Sequence, residues 1–285
     1  MPLAHHKPYW LFPNLLSLDA PLVAVAWLYI FAKTWRVQYL PWVAYVSLGL
    51  VVWIIYASDR LLDVAIRDGE TETRTARHRF HCQYKRRFYP LILIAAITTV
   101  ILVVTGIQST IYNYALMGGI MVAGFFSLSI FSTKGPDELP YTKNTLAGIS
   151  FAYGTAMLAF AYTGFEMNEL LYSAEFICFA VLCILNISAI DLWQHASLTT
   201  DVEVKAIDEL ALTLPLTLLG AASLIFALKD GELTTRPFFY AILTGAALLQ
   251  ILNRIRTRFS MDALRVLADV AMLVPLLIFL AYSRA

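Results

Sequence analysis

Charge is scarce in this chain. Asp, Glu, Lys and Arg make up 14% of its 285 residues, against about 25% in soluble domains. That deficit excludes an ordinary water-soluble globule. Cysteine is sparse as well. The three present, Cys82, Cys178 and Cys183, form no CxxC or Cys/His spacing, so neither a disulfide framework nor a zinc site of that kind is expected. Cys178 and Cys183 fall inside one apolar run, where packing is their expected role. Low-complexity tracts, clear repeats and dividing linkers are also lacking, so residues 1–285 read as one domain. The net charge of +1 is uninformative, and nucleic acid is not an expected partner.

Apolar sequence is what the chain has in abundance: 59% of residues are hydrophobic. A helix needs about 20 apolar residues to cross the hydrocarbon core. Nine runs approach that length, at about 15–33, 40–58, 88–107, 111–131, 145–164, 169–191, 208–228, 236–253 and 263–282. Only a helix lets such a run satisfy its own backbone groups in lipid. The expected fold is therefore all-α and polytopic, with nine transmembrane helices. The first run lies too deep in the chain, and lacks the small-residue cleavage site, to read as a signal peptide. Most Lys and Arg fall on the face that holds the N-terminus, whereas the opposite face has only Lys33, Arg36, Lys229, Arg236 and Arg284. Positive-inside bias puts the N-terminus and the loops after the second and sixth runs in the cytoplasm.

Those loops carry the chemistry. Asp59-Arg60-Leu61-Leu62-Asp63 closes the second run, with two carboxylates at i, i+4 on one helical face. Paired carboxylates near a membrane repel and need neutralising. Mg²⁺ is suited to this, since it takes one or two carboxylates plus substrate phosphates. A plainer reading is a solvated helix end in which both pair with Arg60 and Arg67. Asp59 to Arg87 reads as an intracellular loop, and within it Arg74 and Arg77 could neutralise a diphosphate. Lys134 and Lys143 return to the same face. The sixth run ends with Asn186, Ser188 and Asp191, followed by Gln194 and His195, and Asp191 and His195 can share a face. Both acidic segments leave the membrane on one side, so Asp59, Asp63 and Asp191 are expected to converge on one cavity.

Taken together these segments resemble the UbiA superfamily of intramembrane prenyltransferases, which have nine helices and two Asp-rich motifs after helices two and six. Asp59 to Asp63 is similar to the second half of the family's Asn-Asp-x-x-Asp-Arg-x-x-Asp. Arg74 to Ala76 matches the start of its Arg-Thr-Ala-x-Arg. Lys134 to Pro140, Gly148 and Phe151 resemble its Lys-x-x-x-x-x-Pro and Gly-x-x-Phe, and Leu18-Asp19-Ala20-Pro21 resembles its first-helix Leu-Asp-x-Pro. There are departures. Ile55-Tyr56 replaces the first Asn-Asp, Ser17 replaces an Arg, about six extra residues separate Asp63 from Arg74, and Asp191 is nearly alone in the second motif.

The resemblance implies a UbiA-like bundle that ionises an isoprenyl diphosphate. Mg²⁺ would sit on Asp59, Asp63 and Asp191, and Arg74, Arg77, Lys134 and Lys143 would stabilise the leaving diphosphate. Asn186 and His195 would bind substrate, while Tyr56, Tyr153 and Trp53 are candidates to face the allylic cation. Transfer to a lipophilic acceptor within the membrane lipid is the expected outcome. Cyclisation of the tail, as in UbiA-type terpene cyclases, is the alternative. A non-enzymatic scaffold or transporter is a third reading, for which Asp19 and Asp269 would suit a proton or cation path. A CDP-alcohol phosphatidyltransferase is excluded, because Asp68-Gly69-Glu70-Thr71-Glu72-Thr73 lacks that family's Ala-Arg.

Overall fold

The structure, a computed structural model, describes residues 9–66, 76–131, 141–229 and 234–283. Among them there is no strand, and nine long helices carry the fold: α1 (Asp19–Thr34), α2 (Trp42–Ile66), α3 (Ala76–Gly106), α4 (Ile111–Phe131), α5 (Tyr141–Phe160), α6 (Ala174–Leu198), α7 (Val202–Lys229), α8 (Arg236–Ile255) and α9 (Met261–Tyr282). Seven of them, all but α1 and α5, are long and apolar enough to cross a membrane. A multi-pass membrane protein follows from those seven. The nine expected spans are therefore met by seven on length and apolarity. The 16 residues of α1 reach only about 24 Å at 1.5 Å per residue, and α5 opens on the polar string Thr142-Lys143-Asn144-Thr145.

Chain connectivity lets neighbours pair in hairpins: α2 with α3, α4 with α5, α7 with α8, and α8 with α9. Two helices stand inside. α6 packs against α5, α7, α8 and α9, while α1 packs against α2, α5, α8 and α9. An aromatic cluster joins them, with Trp27 tilted against Phe179 at 4.4 Å and edge-on to Phe238 at 5.8 Å. The Trp27 indole N–H donates to the Met272 carbonyl at 2.9 Å, satisfying the polar tip that a buried Trp must pair. α3 and α4 stay at the periphery and expose Ile97, Ile101, Leu116 and Ile120. That surface would be untenable in water and suits lipid.

Local sequence sets several helix ends. Ser17 adopts a left-handed backbone (φ 56°), and the short helical stretch Tyr9–Leu15 meets α1 at 79°. Asn14 donates to the Asp19 carboxylate and holds that elbow. The expected sixth run breaks at Ser173, whose Oγ accepts from the Phe176 N–H and caps α6. Gly148 lets α5 cross α6 closely, since a Cβ there would lie 2.7 Å from the Ile184 backbone. The stretch expected as a loop between Asp59 and Arg87 is helical over its described parts, with α2 running to Ile66 and α3 starting at Ala76. Arg, Lys and Gln are good helix formers, so the helices continue beyond the apolar runs that hydropathy detects.

Candidate functional site

One end of the bundle collects polar side chains of α1, α2, α3, α5, α6 and α9. Asp59 lies two turns before the end of α2 and is 7% exposed. The Arg60 guanidinium bridges the pair, 3.5 Å from Asp59 Oδ2 and 3.4 Å from Asp63 Oδ2. Lys143, at the start of α5, brings its ammonium to 3.6 Å from Asp59 Oδ1 while lying over the Phe125 ring at 5.2 Å. Asp59 Oδ1 accepts no hydrogen bond from the described residues. The next residue serves the other acidic segment: Asn144 Nδ2 donates to Asp191 Oδ2 at 2.8 Å. Successive helical residues point about 100° apart, so the first turn of α5 reaches α2 with Lys143 and α6 with Asn144.

That wedge governs the metal question. Among the described residues no three His, Cys, Asp or Glu side chains are grouped closely enough to hold one ion. Asp59, Asp63 and Asp191 occupy the same end of the bundle, but Asp191 is engaged by Asn144 rather than turned toward the α2 pair. Asp59 and Asp63 still fit a single Mg²⁺ completed by substrate oxygens, because Asp59 Oδ1 is a buried oxygen with its hydrogen-bonding capacity unused.

Below the charged layer lies a cavity of ≈ 20 Å³, lined by Tyr56, Phe151, Cys183, Asn186 and Asp269 among others. It is large enough for about one water. Asn186 Oδ1 has no partner there, and Tyr56 meets Phe151 edge-on at 6.4 Å. Asp269 lines the cavity, and Asp19 lies within electrostatic reach. Arg77 belongs to this layer, with Arg60, Arg265, Asp19 and Asp269 as its charged surroundings. It precedes the apolar span Arg79–Gly106. Burial, followed by the like charges of Arg60 and Arg265, pulls its guanidinium below its usual value.

Two expected substrate residues stand elsewhere. His195 does not share a site with Asp191. Its Nδ1 lies 2.8 Å from Asp208 Oδ2 and ties α6 to α7. Tyr153 is fully buried toward the far end of α5, its hydroxyl donating to the Tyr114 carbonyl at 3.1 Å with Met167 Sδ at 3.3 Å. It does not line the cavity. Trp53 donates to the Leu16 carbonyl at 2.9 Å and braces the elbow. Arg74 and Lys134 lie outside the described residues. Sequence reasoning missed Asn144 and Arg265. A charged residue within an apolar run, as Arg265 is in α9, was the available signal.

No family model, curated protein or solved structure matches the chain.

Proposed function

We propose that the chain is a divergent, UbiA-like, Mg²⁺-dependent prenyltransferase of nine membrane-crossing helices. It takes an isoprenyl diphosphate in an end of the bundle that faces the cytoplasm and passes the prenyl group to a lipophilic acceptor. The observation that carries this reading is the joining of two chemistries in one place. Asp59, Asp63, Arg60, Arg77 and Lys143 form a charged layer directly above a cavity lined by Tyr56 and Phe151 within an apolar bundle. An isoprenyl diphosphate has the same division into a charged head and an apolar tail.

Asp59 and Asp63 would hold the metal, which when bound supplies Lewis-acid charge to the leaving group. Lys143 and Arg77, with Arg74 and Lys134, neutralise the diphosphate oxygens by charge-assisted hydrogen bonds. With substrate bound, Lys143 exchanges Asp59 for phosphoryl oxygen. Tyr56 presents its ring where the C1 end of the tail would lie, and Asn186 supplies the unused acceptor beside it. The surrounding helices exclude water from the allylic cation.

The test is incubation of detergent-purified protein with Mg²⁺ and labelled isoprenyl diphosphates, with and without membrane lipid extract. Diphosphate release with an extract-dependent adduct is the expected result. Release without an adduct would replace transfer by cyclisation. No release at any chain length would end the enzymatic reading.

A second reading has its own observation. Asp269, a carboxyl of the apolar helix α9 that lines the cavity inside the bundle, suits a proton-carrying group in a transporter. Proton uptake by proteoliposomes that is lost in Asp269→Asn would favour it.

A further inference from the structure

Arg265 lies one turn into α9 and is 6% exposed. A guanidinium withdrawn from water is costly unless its donors are used. Two of its nitrogens are: Nη2 donates to Gln194 Oε1 at 2.9 Å and Nη1 to Asp262 Oδ1 at 3.4 Å. Nε is buried and donates to nothing among the described residues. Arg60 repeats the pattern, with Nη1 on the aspartate pair and a buried Nε that has no hydrogen-bond partner among them. Arg77 lies within electrostatic reach of both, and its guanidinium makes no ion pair or hydrogen bond among the described residues. Of the two carboxylates also within its reach, Asp19 and Asp269, Asp19 already accepts from Asn14 and from the Ala20 N–H.

Three guanidiniums from α2, α3 and α9 therefore share one end of the bundle with donors to spare. Such convergence of like charge is unfavourable on its own and is relieved by an anion with several oxygens, for which guanidinium donors are geometrically matched. We infer that Arg265, set in place by Gln194 and Asp262, completes with Arg60 and Arg77 a three-guanidinium site for phosphoryl oxygens, the diphosphate head of the substrate. The inference rests on reading the charged layer as a diphosphate site, and it adds a binding residue, Arg265, and a positioning residue, Gln194. Aspartate and guanidinium then divide the head between them. The α2 carboxylates take the metal-bound side, and the α9 side binds oxygens directly, without a metal.

The test uses inorganic pyrophosphate, EDTA and calorimetry on the full chain in neutral detergent. Arg265→Gln is expected to weaken pyrophosphate binding by about tenfold or more, the scale of a lost charged hydrogen bond. Arg265→Lys regains part of the loss, since an ammonium offers a point charge rather than a fork. Gln194→Leu, which keeps the guanidinium but removes its anchor, gives a smaller loss of about threefold. That change would appear as a raised KM for isoprenyl diphosphate with kcat little changed. A phospholipid head offers the same chemistry. Repeating the titration in nanodiscs of anionic lipid separates the sources: weaker pyrophosphate binding there than in neutral nanodiscs, for the parent but not for Arg265→Gln, assigns the site to lipid phosphate and overturns the diphosphate assignment. Unchanged affinity in a folded Arg265→Gln protein overturns the site altogether, and Gln194→Leu with Arg265→Lys serves the same purpose if Arg265→Gln does not fold. Arg265-dependent pyrophosphate binding in a protein that releases no diphosphate from any isoprenyl substrate would keep the anion site and remove the transferase reading. Release unaffected by Arg265→Gln would do the reverse.

Discussion

The two acidic helix ends of this protein look equivalent in the chain and are not equivalent in the fold. Asp59 on α2 is met by two cations at 3.5 and 3.6 Å and keeps a carboxylate oxygen free of hydrogen bonds among the described residues. Asp191 on α6 is met by the neutral amide of Asn144 at 2.8 Å. The difference comes from one turn of α5, whose consecutive residues Lys143 and Asn144 serve one end each. An oxygen balanced by mobile cations can exchange them for a metal or a phosphate. A carboxylate locked to an amide of a neighbouring helix is better suited to holding two helices together. The first end is built for exchange and the second for support.

Four substitutions can break or sharpen that contrast. Asp59→Asn should have the largest effect, because it strands Lys143 and leaves Arg60 with Asp63 alone. Breaking a buried ion pair costs about 3–5 kcal/mol, so the melting temperature in detergent should fall sharply and any stabilisation by Mg²⁺ with pyrophosphate should vanish. A variant that melts like the parent would show that the cations do not depend on Asp59. Gly148→Ala is next, at about 3 kcal/mol, the upper end for an overpacked core, since the added Cβ meets the Ile184 backbone at 2.7 Å. It should loosen Asp191 while leaving the pyrophosphate response of the α2 end. Equal loss of both would mean that the two ends act as one site. Asn144→Leu removes the amide but little volume, and leaving Asp191 without its donor should cost roughly 2 kcal/mol. Thermal melts with and without Mg²⁺ would show whether the freed Asp191 now recruits the ion. The smallest change is expected from Asp63→Asn, about 1 kcal/mol or less, because its 3.4 Å contact with Arg60 is partly exposed. The same melts should show a weakened Mg²⁺ response, and an undiminished one would leave Asp59 as the sole metal ligand.

The bundle was legible because lipid-spanning runs announce themselves: the run expected at 111–131 coincides with Ile111–Phe131, and that at 263–282 with Met261–Tyr282. What the sequence concealed was polar helix. Asp59–Ile66 and Ala76–Arg87 are helical through intrahelical hydrogen bonding and residue propensity, and neither raises hydropathy. Burial was concealed too. The α3 and α6 spans have similar mean hydropathies, 2.4 and 2.2, yet 17% of the first is buried and 61% of the second, because lipid and protein interior are equally welcoming to Leu and Ile. In the site, spacing correctly placed Asp59 and Asp63 one turn apart, with Arg60 between them as partner. The i, i+4 match of Asp191 and His195 misled, because each found a tighter partner on another helix, Asn144 and Asp208. Local periodicity says which residues can share a face. It does not say which of them a neighbouring helix will claim.

The elbow at Ser17 bears on where all of this sits. Tyr9 and Trp10, 87% and 48% exposed, precede a bend of 79°, and such rings favour the headgroup layer of a bilayer. The arm they belong to is fastened at two points to the charged layer: Asn14 holds Asp19, and the Leu16 carbonyl holds Trp53 on the same helix as Asp59. With those rings in the headgroup layer, the arm would link that layer to the charged end of the bundle. A change in leaflet thickness would then bear on α1 and α2 together, the two helices that carry Asp19 and Asp59.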